Sequence, residues 1–212
     1  MAGPSINGWR FAFWEAGCAP AERGATVPPR LGPRAAWRRL SGDVATWRRG
    51  QNGPVRIAVE DPATPDVAGL LTEHLADMHA VSPPGSVHAL DVGGPRDEAV
   101  TLWTARLGSS LLGCAALREL SATDGEVKAM RTCAEARHRG VAAALLATVE
   151  DEAVRRGYER LSLETGSQDF FAPARRLYAG RGFTECGPFG SYVLDPHSVF
   201  MTKDLRTGRP GP

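Results

Sequence analysis

Hydrophobic and polar positions follow a regular pattern only after residue 54 of this 212-residue chain. The segment Val55 to Val59 predicts a short strand. Thr64-Pro65-Asp66 is typical of a helix start, because threonine caps helices well and proline fits the first helical position. The apolar residues that follow recur at helical spacing, and they are Val67, Leu70, Leu71, Leu75 and Met78. Ser82-Pro83-Pro84-Gly85 then ends the predicted helix.

The same patterns predict the elements of the remaining chain. They are strands at 99–105, 111–117 and 127–132, a helix at about 140–156, a strand at 161–165, a helix at 173–181 and a strand at 198–205. Gly157 and Gly182 follow the two helices as C-terminal glycines. This succession predicts a single α/β or α+β domain around a mixed sheet.

Residues 1–54 differ in composition from the rest. They contain eight arginines, three acidic residues and four of the five tryptophans, which gives them a net charge of +5. Because several prolines interrupt any periodic pattern, we expect a loosely ordered extension with a short helix around Arg34 to Leu40. An arm that binds nucleic acid or another partner is the alternative. The predicted organisation is an extension at 1–54, a domain at 55–205 and a tail at 206–212.

Composition narrows the classes of partner. The net charge is only +1 at pH 7, so we expect a small-molecule partner and neither nucleic acid nor a membrane. The four cysteines include no C-x-x-C pair, which indicates reduced thiols and no structural zinc site. His74 and His79 do not share a helix face, so no metal site is expected. The absence of a long apolar run and of a secretory signal predicts a cytoplasmic protein.

The segment Arg137-His138-Arg139-Gly140-Val141-Ala142 follows a predicted strand and opens a predicted helix. A helix N-terminus presents unpaired N–H groups and the positive end of the helix dipole. A glycine at this place lets a phosphate approach the main chain closely. The segment can therefore hold a diphosphate, with Arg137 and Arg139 adding positive charge. The alternative is a basic turn that only starts a helix.

This segment resembles the acetyl-CoA-binding signature of the GNAT superfamily of N-acetyltransferases. A second segment, Ala174 to Phe183, resembles a later motif of the same superfamily, with Leu-Tyr and then Gly-Phe. The resemblance spans about residues 55–205 and implies a mixed, mostly antiparallel sheet flanked by helices. It implies acetyl-CoA as co-substrate, with main-chain groups of one strand pairing with the pantetheine arm. The implied cofactor-binding residues are Met130, Arg131, Thr132, Arg137, His138, Arg139, Gly140, Val141 and Ala142.

The chain departs from the superfamily pattern at two places. Ala134 stands where a proline often precedes the signature, and the usual asparagine is missing from the region Asp169-Phe170-Phe171, so no cofactor contact is expected there. Several shorter segments resemble a bacterial subgroup of the superfamily, and membership of this subgroup does not identify a substrate. We expect Ser82, His88 and His197 to line the acceptor pocket, although lone loop histidines are more often simply exposed.

Three residues are candidates for proton transfer. Tyr178 matches the position where the superfamily often has its acid, which would stabilise the departing CoA thiolate. Glu126, at the start of a strand that should face the thioester, is the candidate base, and Glu164 on the neighbouring strand is a second one. A core tyrosine and surface glutamates are the alternatives.

These features predict an N-acetyltransferase. It would transfer the acetyl group to a primary amine of a small molecule, an amino acid or a peptide, by direct attack in a ternary complex. No cysteine occupies a motif position that would suggest an acyl-enzyme. A non-catalytic acyl-CoA-binding regulatory module is the main alternative, and a homodimer is left open as the assembly.

Overall fold

The computed structural model describes residues 38–39, 45–48, 54–83 and 99–206, the first two ranges by their backbone only. The described strands are β1 Arg38–Arg39, β2 Ala45–Arg48, β3 Pro54–Val59, β4 Val100–Leu107, β5 Ser110–Glu119, β6 Asp124–Thr132, β7 Arg160–Gly166, β8 Thr184–Cys186 and β9 Ser198–Asp204. The described helices are α1 Pro65–Val81, α2 Val141–Arg155 and α3 Ala172–Gly180. Short 3-10 turns at Ala134–Ala136 and Asp169–Phe171 precede the last two helices.

The strands that the structure describes form one nine-stranded sheet, in the spatial order β1-β2-β3-β4-β5-β6-β7-β9-β8. Neighbouring strands run antiparallel except for β6 and β7, which are parallel. Two parallel strands need a crossover connection, and α2 supplies it. The sequence prediction of a single α/β domain, with a mixed and mostly antiparallel sheet flanked by helices, is confirmed.

Helices α1 and α2 bury their apolar stripes against the central strands. Val67, Leu70 and Leu71 of the predicted α1 stripe are buried, whereas Leu75 and Met78 are only partly buried. Helix α2 packs on β4, β5 and β6. Its buried residues include Leu145, Leu146, Val149 and Ala153. Burial of aliphatic side chains of this size stabilises a fold by about 1.5–3 kcal/mol each, so this face of α2 anchors the helix whose first turn forms part of the site.

Strands β6 and β7 part beyond their first four paired residues. Their register runs from Asp124 opposite Arg160 to Val127 opposite Leu163, although both strands continue further. Within β6, Ala129 has a φ of 51° and the register with β5 shifts by one residue. Such a bulge bends the strand that carries the extra residue. The carboxyl ends of the two parallel strands therefore leave a cleft between them.

The structure corrects the prediction for residues 34–40. Arg38–Arg39 forms β1 where a short helix was predicted, and β2 pairs with β3 from Ala45 opposite Ile57 to Arg48 opposite Pro54. The edge of β3 pairs with β2, and β2 in turn pairs with Arg38 and Arg39, so this tertiary pairing overrides local helix propensity. The sheet thus begins before residue 54, while the domain limits at 55 and 205 stay a prediction.

Strand β8 was not predicted, because its three residues are too short for an alternating pattern. Among the helices of the described part, none is long and apolar enough to cross a membrane.

Candidate active site

A cleft opens where β6 and β7 part, beneath α1 and α3. Its walls come from both strands, from both helices and from the segment that connects β8 with β9. The polar and titratable side chains that line it are His74, Glu126, Lys128, Glu164, Tyr178 and Tyr192. In a fold of this kind, ligands bind beyond the carboxyl ends of parallel strands, and this is where the cleft lies.

Glu126 of β6 is the most buried acidic side chain in the cleft, with 1% of its surface exposed. Its Oε1 accepts hydrogen bonds from the Tyr192 hydroxyl at 2.5 Å and from Lys128 Nζ at 3.2 Å. Its Oε2 has no hydrogen-bond partner among the described residues. Buried carboxylate oxygens are normally satisfied, and leaving one without a partner is unfavourable. The unpartnered oxygen is therefore a candidate for contact with a bound molecule.

Tyr192 reaches Glu126 from the connection between β8 and β9. Its ring packs against Phe189 and Phe200, with centroid distances of 5.1 and 5.5 Å. Lys128 donates to its hydroxyl at 2.9 Å. Burial, the charge of Glu126 and the hydrogen bond to Glu126 raise the pKa of Tyr192 well above its usual range. The phenol therefore stays protonated at neutral pH.

Tyr178 of α3 lies in the wall of the same cleft, with 6% of its surface exposed. Its ring meets Phe183 edge-on, at a centroid distance of 5.9 Å. Burial raises the pKa of Tyr178 above its usual range, and the negative charge of Glu164 raises it further. Because Glu164 Oε1 accepts a hydrogen bond from Ser198 at 2.7 Å, this carboxylate is held in place on β7. The Tyr178 hydroxyl is thus kept as a neutral donor.

His74 of α1 also lines the cleft, and its Nδ1 is buried without a hydrogen-bond partner in the described part of the chain. Burial and the charge of Arg131 together lower the pKa of His74 to about 4, although the charge of Asp77 opposes the shift. The imidazole is therefore neutral at pH 7. It can exchange hydrogen bonds with a ligand but adds no positive charge to the cleft.

The depressed pKa of His74 predicts a loss of stability in mild acid. Because the pKa is lower in the folded state, the unfolded chain binds the proton first. This contribution is fully present above pH 6.5 and is lost as the pH falls towards 4. We expect the loss of unfolding free energy from this group between pH 7 and pH 4 to be about 3 kcal/mol. Urea unfolding at pH 7 and pH 4 should show that His74→Gln loses less stability than the wild type, and equal losses would contradict the assignment.

The first turn of α2 forms the second part of the site. Gly140 caps the helix with a φ of 82°, a left-handed conformation that glycine adopts without strain. No side chain of the described residues caps this helix end by a hydrogen bond. Arg137 and His138 are exposed and Arg139 is partly buried, so all three lie at the surface beside the helix N-terminus. The arrangement can bind a diphosphate through main-chain N–H groups and adjacent positive charge.

The strand residues predicted to contact the cofactor differ in their surroundings. Met130 lines the cleft, and Thr132 pairs with Gly113 of β5. The Arg131 side chain is 7% exposed and forms ion pairs with Glu73 at 2.8 Å and Asp77 at 2.6 Å, both on α1. Its charge is therefore neutralised within the protein, which leaves the side chain poorly suited to bind a phosphate.

Two of the residues predicted to line the acceptor pocket, Ser82 and His197, are not part of the cleft wall. Ser82 caps the C-terminal end of α1, where its N–H bonds the Met78 carbonyl. His197 is exposed in the turn before β9, and its side chain is not part of the cleft wall. His88 lies outside the described residues. Within the described ranges, no group of three or more His, Cys, Asp or Glu side chains is placed to hold a metal ion.

Comparison with known proteins agrees with this geometry. Residues 70–183 match the model of the acetyltransferase (GNAT) family. The chain belongs to this family. It is 48% identical over 151 residues to the uncharacterized N-acetyltransferase YsnE of Bacillus subtilis. This alignment covers 71% of this chain and 100% of YsnE. It is also 42% identical over 149 residues to the uncharacterized N-acetyltransferase YedL of Escherichia coli. This second alignment covers 70% of this chain and 94% of YedL.

A solved structure from Klebsiella pneumoniae, assigned as an acyl-CoA N-acyltransferase, superimposes with a TM-score of 0.61 at 26% identity. It covers 71% of this chain and 97% of that one. This GNAT chain is therefore an acyltransferase, and the family resemblance inferred from its two motifs is confirmed.

The motifs of this GNAT chain did not reveal three of the residues that line the cleft. His74 lies four residues before Met78 on α1, so helical spacing places both on one face and could have indicated it. Lys128 lies two residues after Glu126 on β6, so strand alternation puts the two on one face. Tyr192 lies in an irregular segment 66 residues from Glu126, and no local pattern predicts their contact.

Proposed function

We propose that this chain transfers the acetyl group of acetyl-CoA to a primary amine of a small molecule, an amino acid or a peptide, by direct attack in a ternary complex. The observation that carries the proposal is the pairing of two groups in one cleft. Glu126 offers a buried carboxylate with one oxygen that no described residue contacts by a hydrogen bond, and Tyr178 offers a protonated hydroxyl. A base and a hydrogen-bond donor are the two groups that aminolysis of a thioester requires.

The first turn of α2 and the free edge of β6 support acetyl-CoA as the co-substrate. Main-chain N–H groups at residues 137–142 would hold the diphosphate, with Arg137 and Arg139 adding charge. Beyond Val127, the edge of β6 that faces β7 has no register partner in the described part of the chain. The pantetheine arm would pair there with main-chain groups of residues 130–132, as an added strand does.

The residues of the cleft would act in sequence. Glu126 takes a proton from the acceptor ammonium, and the neutral amine then attacks the thioester carbonyl carbon. As the C–S bond breaks, Tyr178 donates a hydrogen bond to the departing sulfur. The nitrogen loses one further proton as it becomes the amide, and this proton ends on the sulfur, so CoA leaves as a thiol. Because the pKa of Tyr178 is raised, its hydroxyl is suited to hydrogen bonding more than to complete proton transfer. Burial and, after it, the charge of Glu164 are the causes of this raised pKa.

The cysteines of the described residues favour direct transfer over an acyl-enzyme. Cys114 and Cys133 are buried. Burial raises the pKa of Cys114 to about 12, and it also raises the pKa of Cys186. A thiol acts as a nucleophile only as its thiolate. Cys114 and Cys186 therefore do not provide a thiolate at neutral pH, and Cys133 is buried away from a substrate.

The test is release of CoA from acetyl-CoA, detected with a thiol reagent across a panel of amines, amino acids and peptides. At least one amine should accelerate release, and Glu126→Gln should slow the accelerated rate by ~10²- to 10⁴-fold. Glu119→Gln is the matched control, because this glutamate accepts a hydrogen bond from Tyr158 and is not part of the cleft wall. Binding of acetyl-CoA without release of CoA for any amine would favour the non-catalytic regulatory module.

A further inference from the structure

The Tyr192 hydroxyl, Lys128 and Glu126 form a closed triangle of hydrogen bonds. The hydroxyl lies 2.5 Å from Glu126 Oε1 and 2.9 Å from Lys128 Nζ, and Lys128 Nζ lies 3.2 Å from the same Oε1. The side chains of Lys128 and Glu126 are 11% and 1% exposed, so water competes little for these bonds. The triangle therefore fixes how the Glu126 carboxylate is oriented.

The direction of each hydrogen bond follows from the groups involved. A lysine ammonium can only donate, and an ionised carboxylate can only accept. Because the hydroxyl accepts from Lys128, its single proton is free to point at Glu126. Tyr192 is thus a donor to Oε1, and its raised pKa keeps that proton in place.

The two oxygens of Glu126 are consequently unequal. Oε1 accepts from two donors, whereas Oε2 accepts from none of the described residues. Rotation of the carboxylate would break both bonds to Oε1, so the two oxygens cannot exchange roles freely.

We propose that Tyr192 is a positioning residue for acetyl transfer: its hydroxyl, oriented by Lys128, holds Glu126 so that Oε2 is the oxygen that receives the proton of the acceptor amine. The inference rests on the proposed function, in which Glu126 is the base. It assigns a role to the connection between β8 and β9, which carries Tyr192. The ring of Tyr192 packs against Phe189 and Phe200, and this packing holds its hydroxyl at the cleft.

Tyr192→Phe tests this role, because it keeps the ring and removes only the hydroxyl. Hydrogen bonds to charged groups are among the stronger ones in proteins, so we expect the single-turnover rate at saturating acetyl-CoA to fall by roughly 10- to 100-fold. The Kd for acetyl-CoA should stay unchanged. Tyr158→Phe is the matched control, because it removes the same group from a tyrosine that donates to Glu119 at 3.0 Å, away from the cleft. It should leave the rate unchanged.

A double-mutant cycle separates positioning from a general structural role. If Tyr192 acts through Glu126, then adding Tyr192→Phe to Glu126→Gln should slow the residual rate less than threefold. A second loss as large as in the wild-type background would show that Tyr192 acts independently, and would overturn the inference. Lys128→Met provides a second variant in case Tyr192→Phe unfolds, and its effect should likewise disappear in the Glu126→Gln background.

The outcomes distinguish the inference from the function on which it rests. A slow Glu126→Gln beside a fully active Tyr192→Phe would reject the positioning role alone. A wild-type protein that releases no CoA with any amine, or a fully active Glu126→Gln, would reject Glu126 as the base and the role of Tyr192 with it.

Discussion

Gly140→Val is expected to weaken binding of acetyl-CoA by roughly 10²-fold, the equivalent of one or two hydrogen bonds to a charged group. Gly140 has a φ of 82° at the N-terminus of α2. A branched side chain there would occupy the space that a phosphate needs, and it would also force the loop out of its left-handed conformation. The first effect keeps the phosphate away from the main chain, and the second moves the main-chain N–H groups away from the phosphate. Titration calorimetry with acetyl-CoA measures the change directly.

The backbone strain of this variant needs its own control. A left-handed conformation costs an ordinary residue about 1–2 kcal/mol wherever it occurs. Gly157, just beyond the other end of α2, has a φ of 86° and no described neighbour within 4 Å of the place where a Cβ would lie. Gly157→Val should therefore lower the melting temperature about as much as Gly140→Val, yet leave the affinity for acetyl-CoA unchanged. Equal affinity in all three proteins would reject the diphosphate site.

Local signals predicted the frame of the site. The start of α2 follows from a glycine before an alanine- and leucine-rich run, and the mixed sheet follows from the strand, helix and strand order around it. Tyr178 was found through the resemblance of its segment to a superfamily motif, and Pro173 and Gly182 marked the limits of the short helix that carries it. These features depend on residues close to one another in the chain, which is why the sequence alone could indicate them.

Partners that meet through tertiary packing could not be predicted in the same way. Arg131 was predicted to contact the cofactor as part of a strand that pairs through its main chain, and this prediction gave no partner for its side chain. The structure pairs that side chain with Glu73 and Asp77, which are 58 and 54 residues earlier in the chain. The contact of Tyr192 with Glu126 depends on the path of an irregular segment. The residues at 34–40 likewise give no local signal of the strand pairing that orders them, which runs from β1 through β2 to the edge of β3.

Tyr178→Phe is expected to lower the rate of acetyl transfer by ~10²- to 10⁴-fold without a matching rise in KM. The substitution keeps the ring and its contact with Phe183 and removes only the hydroxyl. The sulfur becomes negatively charged only as the thiolate departs, so the hydrogen bond from the hydroxyl to the sulfur is made mainly in the transition state. Such an interaction lowers kcat and leaves binding of acetyl-CoA unchanged.

The measurement should isolate the chemical step. If product release limits turnover, a steady-state rate would hide part of the effect, so single-turnover rates at saturating acetyl-CoA are the appropriate comparison. Tyr158→Phe again serves as the control, since Tyr158 is a buried tyrosine outside the cleft. Its rate should equal that of the wild type. A Tyr178→Phe rate within about threefold of the wild type would show that the hydroxyl takes no part in the departure of CoA. Tyr178 would then contribute to the wall of the cleft through its ring alone.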